Sequence, residues 1–430
     1  MQPRNLHSII LHLARLTSDG RMHVKSSTRT HFIICVLRQG FVMVALWTIT
    51  ACVREPELHL PWRDESLDFL LPVIDLDLNV YWDYDLVYGV NYDWRGEWYY
   101  GWDEEDRNMF GELGYIEPTV FNLRRYYTAE LPKAPHTAVI ENTVEGTHFQ
   151  GRYNWGFWDI LVWNQVESID GVQSLHFDET TSLDSVTAYT NPSMRVARYN
   201  APRYTQAFYE PEPLFAAYEE DIDINRNLEG FVYDAERNVY VRTLDMVLMP
   251  VTYIYLTQVI LHHNRGRVSG IDGSADLSGM ARSTTLNTRR AGDDAITATY
   301  GVRFKKDLPL LPYNHEWSDA EKQAAEHVDI IGGRVMTFGI PTVEANTISR
   351  ADEVNDIHRH YLGVNMLFNN ATDSTLVFDV TEQVRRRYKG GVITVELDMD
   401  TVPIPTRRGG SGFNAVVKDF EEVTLPEFEM

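Results

Sequence analysis

Cys52 directly follows Ile49-Thr50-Ala51 and an apolar run from Phe41 to Ile49, with Lys25, Arg29 and Arg38 upstream. That is the order of a secretory signal: a basic region, a short hydrophobic region and small residues at the cut. A thiol so placed can be alkylated by a diacylglycerol group, after which cleavage before it frees an amino terminus for a further acyl chain. Ile49, Thr50 and Ala51 then form the peptidase recognition site, and Cys52 is the expected lipid attachment point. The run is too short to span a bilayer as a helix, which takes about 20 apolar residues. Two plainer fates are open to the same residues, a buried core thiol or an uncleaved anchor. The cysteine count favours lipid. Cys35, the other cysteine, lies inside the segment that would be removed, so the mature chain keeps no thiol for a disulfide. Apolar Ile9, Ile10, Leu11, Leu13 and Leu16 ahead of the basic region make Met22 the more natural start, with residues 1–21 expected not to be translated.

A second concentration of chemistry-bearing side chains runs from Tyr81 to Trp102, where ten of twenty-two residues are aromatic and Asp83, Asp85, Asp93, Glu97 and Asp103 lie among or beside them. Tyr and Trp join an apolar body to a polar handle, so Trp94, Trp98 and Trp102 could stack on sugars while carboxylates accept from hydroxyls. The same rings could equally form one face of a β core, since aromatic residues are ordinary strand residues. Carboxylates are too numerous for any pair to stand out as a glycosidase acid and base. The chain has no G-x-S-x-G elbow, H-E-x-x-H or P-loop, and the expectation is a non-catalytic protein without a cofactor. Neither His262-His263, whose side chains would leave a strand on opposite faces, nor His358 and His360 come with a recognisable third metal ligand. Asp221-Ile222-Asp223-Ile224-Asn225 opens like a calcium loop but lacks the glycine and glutamate that complete one, so it reads as a solvated strand edge.

The elements that must hold these residues are strands. The whole chain is 44% hydrophobic and 23% charged, a folded globular composition. Removing residues 1–51 leaves 33 basic against 61 acidic residues, a net charge of −28, which disfavours nucleic acid as a partner. In Ile74, Leu76, Leu78 and Val80, apolar positions alternate with Asp75, Asp77 and Asn79, the period-two pattern of a half-buried strand. Further strands are predicted at Val120 to Tyr127, His136 to Glu141, Phe157 to Asn164 and Val186 to Tyr189. A second set covers Val247 to Leu256, Val268 to Leu286, Val335 to Ile340, Tyr361 to Asn369, Leu376 to Val380, Val392 to Met399 and Phe413 to Val417. Pro250 marks an edge or a bulge. One or two short helices are expected: one behind the capping box Ser318-Asp319-Ala320-Glu321, the other from Thr381 to Arg387, with Thr381 as a cap and Gly390-Gly391 as the stop. The expected organisation is a leader and signal over residues 1–51, a tether over 52–64, and β-sandwiches over 65–235 and 236–430.

With this lipid-attachment pattern and two strand-rich halves, the chain resembles exported lipoproteins of the Bacteroidales fimbrillin superfamily. More closely, it resembles an uncharacterised Bacteroidales lipoprotein family, a domain of unknown function grouped with fimbrillin-like and minor fimbrial anchor proteins. The residues that carry the resemblance are Trp158-Asp159-Ile160-Leu161-Val162-Trp163-Asn164, Val335-Met336-Thr337-Phe338-Gly339, Phe378-Asp379-Val380-Thr381, and Ile404-Pro405 followed by Gly409-Gly410-Ser411-Gly412-Phe413. The resemblance implies an all-β chain of two tandem transthyretin-like Greek-key sandwiches. It also implies an outer-membrane, surface-exposed location and pilin-like subunits as partners through strand addition, with Phe413 to Leu425 as a strand that completes either its own sheet or a neighbour's. An Arg-containing cleavage strand early in the first domain is missing, which favours a retained lipid anchor over a free pilin. The resulting expectation is an anchor or accessory subunit of a fimbria-like assembly, with a glycan-binding surface lipoprotein as the alternative.

Overall fold

The computed structural model describes residues 71–81, 92–129, 131–166, 174–178, 185–197, 206–313, 316–342 and 359–406. Strands are numbered in chain order. The eight-stranded sheet I has the order β3 (Ala138–Glu145), β2 (Val120–Thr128), β5 (Gly156–Asn164), β10 (Phe215–Ile224), β12 (Val239–Pro250), β1 (Val73–Val80), β4 (His148–Arg152), with β11 (Val232–Asp234) also on β12. Sheet II has the order β18 (Arg303–Pro309), β19 (His327–Thr337), β13 (Tyr253–His262), β22 (Gly391–Asp398). Sheet III runs β21 (Asp373–Asp379), β20 (Tyr361–Phe368), β14 (Val268–Ala281), β17 (Ala295–Gly301), β9 (Gln206–Tyr209), β8 (Pro192–Val196). Sheet IV runs β16 (Arg290–Ala291), β15 (Ser283–Thr285), β7 (Thr187–Thr190), β6 (Leu175–Asp178). The fold is all-β, as the strand patterning implied.

Sheets II and III stack over a continuous apolar core. Tyr255 and Val259 of β13, Val395 of β22, Leu277 of β14 and Val364 of β20 all belong to it. A second cluster joins Leu161 and Trp163 of β5 to Leu175 of β6, Ala188 of β7 and Phe338, so sheet IV covers one face of sheet I. Strands from both sides of residue 235 share sheets: β1 lies parallel to β12, β9 parallel to β17, and β7 antiparallel to β15. In β1 the expected alternation is seen, with Ile74, Leu76 and Leu78 buried and Asn79 exposed. Pro250 falls where β12 ends and the chain passes from sheet I into β13 of sheet II. Buried Thr252 secures this crossing by accepting from the Leu214 amide, while Val251 donates its amide to the Leu214 carbonyl.

Four short helices occur among the described residues: α1 (Trp94–Glu97), α2 (Glu104–Phe110), α3 (Asp319–Ala324) and α4 (Thr381–Arg386). The capping box of α3 forms as expected, with Ser318 accepting from the Glu321 amide and Glu321 accepting from the Ser318 amide. Helix α4 differs in one respect. Val380 occupies its cap position, and the Thr381 hydroxyl instead accepts from the His360 amide, 2.9 Å away. Helices α1 and α2 lie in the aromatic-rich segment and were not expected. That segment explains the burial of β13, whose outward residues Ile254, Leu256, Gln258 and Ile260 are as fully buried as the inward Tyr255 and Leu261. Gln258 on that face bonds directly to the segment, so residues 92–115 form a third layer, a strap over sheet II. A strand buried on both faces loses its alternation, which is why Tyr253–His262 reads as an almost unbroken apolar run.

Candidate functional site

Ile49, Thr50, Ala51 and Cys52 lie outside the described residues. So do His358, Phe413 to Leu425, and Trp82, Tyr84 and Tyr88 of the aromatic run. Tyr81 is exposed at the end of β1, its amide donating to the Leu248 carbonyl of β12, whereas the run from Tyr92 to Trp102 is packed against sheet II. Trp94, Trp98 and Trp102 are 3%, 0% and 6% exposed. Trp94 stacks on Tyr313, with ring centres 5.9 Å apart, and carries the Arg95 guanidinium at 4.5 Å. Trp98 meets Tyr100 at 5.5 Å, Tyr100 meets Trp102 at 6.5 Å, and Trp102 meets Phe110 at 6.0 Å. Indole nitrogens of Trp98 and Trp102 donate to the carbonyls of Gly101 and Gly111. The sugar platform expected from Trp94, Trp98 and Trp102 is therefore corrected: these rings are spent on packing within the strap and are not presented to solvent.

Two glycines let the strap lie close, one in β19 of sheet II and one at the end of β17 in sheet III. At Gly332 a Cβ would stand 2.4 Å from the Tyr100 ring, and at Gly301 it would stand 2.4 Å from Phe110. Glycine at both sites turns a strand surface into a bed for aromatic rings. The buried Gln258 then uses three of its four amide bonds on the strap and one on β22. Its Oε1 accepts from the amides of Tyr99 (2.9 Å) and Tyr100 (3.2 Å), and its Nε2 donates to the Glu97 carbonyl (2.8 Å) and to Thr394 Oγ1 (2.8 Å). At the other edge Arg387 packs 3.9 Å over the Tyr92 ring and pairs with Glu97 at 2.6 Å.

The most reactive-looking grouping in the described structure lies where α2 meets β18. Asp103 and Asp106 form a reciprocal capping box, each side chain accepting from the other's amide at 2.9 Å. Asp106 is completely buried and Lys305 is 8% exposed at its side chain. Lys305 Nζ lies 2.6 Å from Asp106 Oδ2, 2.9 Å from Asp103 Oδ2, and 3.9 Å from the centre of the Tyr100 ring. The Tyr100 hydroxyl donates to Asp106 Oδ1 at 2.7 Å. Arg303 donates to Asp103 at 2.8 Å and to Asp106 at 3.1 Å, and also pairs with Glu105.

Electrostatics follow from this enclosure. Burial, the hydrogen bond to Asp106 and that residue's charge together push the Tyr100 phenol far above its ordinary range. Burial alone would raise the Asp103 carboxyl. The Asp106 amide, Lys305 and Arg303 outweigh it and hold Asp103 well below the usual carboxylate range. Charges buried this way are tolerable only when paired and fully hydrogen-bonded, and the pairing fixes α2 to β18. Sequence reasoning missed Lys305, Asp106 and Gln258 because Gln258 and Lys305 bond to partners 136 to 205 residues away, and Asp106 meets Lys305 across 199 residues. Gly332-Gly333 inside a β-branched strand was the available signal of a close approach.

Two further groupings of ionisable side chains lie outside the strap. His263, Asp398 and Asp400 bring ligand atoms within 4.8 Å of one another, but all three are exposed, and Arg265 and Arg267 already reach Asp400 at 3.7 and 3.9 Å. Glu210 and Glu212, in the Glu-Pro-Glu-Pro run between β9 and β10, sit where three of the sheets approach. Glu210 accepts from the Met336 amide of β19 at 2.9 Å, and Glu212 is bonded to Ser174 just before β6. Burial raises both carboxyls, pushing Glu212 up to about 7. The Asp221 to Asn225 segment is strand and turn, with the Asp221 amide donating to Asp159 Oδ1 at 2.8 Å, in keeping with a strand edge.

No family model matches the chain, and no curated protein matches it in sequence. Among solved structures it is similar to a candidate adhesin from Bacteroides ovatus, at 13% identity over 79% of this chain and 97% of the other, with a TM-score of 0.43. It is also similar to the fimbrial anchor protein Mfa2 from Porphyromonas gingivalis, at 9% identity, 75% and 90% coverage and a TM-score of 0.35. A third similarity is to the tip fimbrial protein Mfa3 of the same organism, at 7% identity, 71% and 82% coverage and a TM-score of 0.28. None of these similarities assigns a role to this chain.

Proposed function

We propose that the chain is a non-catalytic, lipid-anchored protein of the outer membrane, exposed at the cell surface, and an anchor or accessory subunit of a fimbria-like assembly. The observation that carries this reading is Cys52, set after a basic and then an apolar segment and before an all-β body. A single diacylglyceryl thiol with a further acyl chain gives the two hydrophobic signals that stable membrane attachment needs. An acidic mature chain gains nothing from anionic lipid, so attachment rests on the acyl groups. Residues 65–235 and 236–430 are the proposed division into two sandwiches, with β12 crossing back to complete sheet I and β8 and β9 crossing forward into sheet III. Pilin-like subunits are the proposed partners, joined by strand addition.

Copurification tests the assembly role. The full chain, expressed in its own cell envelope and crosslinked before extraction, should be recovered with shed fimbriae or with pilin-sized neighbours. Recovery as a monomer under every crosslinking condition would remove the assembly role while leaving lipid attachment to its own test.

A further inference from the structure

We propose that Lys305 and Asp106 form a site of intramolecular amide formation, an isopeptide crosslink that covalently joins the strap to β18. This goes beyond the anchoring role and does not depend on it. Lys305 Nζ and Asp106 Oδ2 are 2.6 Å apart, and both side chains are enclosed, with Tyr100 packed on the ammonium. Reactants held this close gain an effective concentration on the order of 10⁵ M or more. Desolvation also favours reaction, because a neutral amide replaces a buried ammonium and carboxylate, each costly to keep out of water.

The neighbouring groups fit the steps. The ammonium, 2.6 Å from Asp106 Oδ2, passes one proton to that oxygen, giving the nucleophilic amine and a neutral carboxyl group together. That amine attacks Asp106 Cγ while the Tyr100 hydroxyl, 2.7 Å from Oδ1, stabilises charge developing on that oxygen. The new bond is Nζ–Cγ and the broken bond is Cγ–Oδ2. Two of the three ammonium protons leave with Oδ2 as water, the second relayed through Asp103 Oδ2, 2.9 Å from Nζ, and the third stays on the amide nitrogen. No oxidant or cofactor is consumed. Arg303 keeps Asp103 and Glu105 as partners after Asp106 loses its charge, so no guanidinium is stranded.

The test is intact-mass measurement of the folded full-length body, followed by a tryptic map. The expected result is a mass lower by one water, with one branched peptide linking the Asp106 and Lys305 segments and no cleavage after Lys305. Lys305→Arg should restore the full mass and two separate peptides. Asp103→Asn, which leaves both reacting groups in place, should leave most of the protein uncrosslinked. Wild-type protein at full mass, or a lost water that maps to a single linear peptide, would overturn the proposal whether or not any variant folds.

Discussion

Replacing Gln258 with leucine tests whether the strap is held by specific bonds or only by its aromatic bulk. The substitution removes four hydrogen bonds at once, two accepted from the Tyr99 and Tyr100 amides and two donated to Glu97 and Thr394. A buried polar group left without a partner costs about 1–3 kcal/mol. Tyr99 and Thr394 are only partly buried and can recover water, so the low end applies, about 4 kcal/mol for the four groups. Leucine returns about 1–2 kcal/mol through apolar burial. The expected net loss is about 2–3 kcal/mol, a large share of the 5–15 kcal/mol typical of a folded domain. It should be local. Native-state hydrogen exchange at Tyr99 and Tyr100 should accelerate by a factor on the order of 10², while amides of β14 and β20 in sheet III keep their protection. Unchanged exchange at Tyr99 and Tyr100 in the leucine variant would refute the reasoning.

Three further outcomes follow from the same contacts. Gly332→Ala places a methyl group where the Tyr100 ring lies, so denaturant unfolding should show a loss of about 1–3 kcal/mol and tryptophan emission should shift to the red. Trp98→Ala should cost about 3–5 kcal/mol in the same assay and leave glycan-array binding unaltered, since that indole is enclosed. Glu212→Gln removes a carboxyl whose folded pKa of about 7 exceeds its unfolded value of 4.5. The folded state then binds the extra proton, so the wild type loses stability from this group as pH rises from 4.5 through 7, and none below 4.5. The glutamine variant should be more stable above pH 7, by at most about 2 kcal/mol once solvent screening is discounted, with a flatter stability profile between pH 5 and 7. Thermal melts across that range give the comparison.

Alternation in Ile74 to Val80 was legible because that strand has one buried face and one solvated face, and each side chain reports its own environment. The capping box at Ser318 was legible because all its bonds fall within four residues. The strap was not. Its helices span four and seven residues, too short for a 3.6-residue period to declare itself, and their bonds run to strands far along the chain. The abundance of aromatic residues was visible, yet ring count is the same for a sugar platform and a packed layer. What separates them is the pair of glycines on the facing strands and the amide of Gln258, which sequence spacing cannot bring together. Lys305 carried no local signal, because its two carboxylate partners are placed on it only by α2.

Lipid attachment at Cys52 is tested most directly by growing cells with radiolabelled palmitate and comparing the wild type with Cys52→Ala. Acylation predicts a labelled wild-type chain lacking residues 1–51 and an unlabelled variant that keeps its leader. Label that persists in the variant, or a wild-type chain that carries none, would contradict the anchoring role.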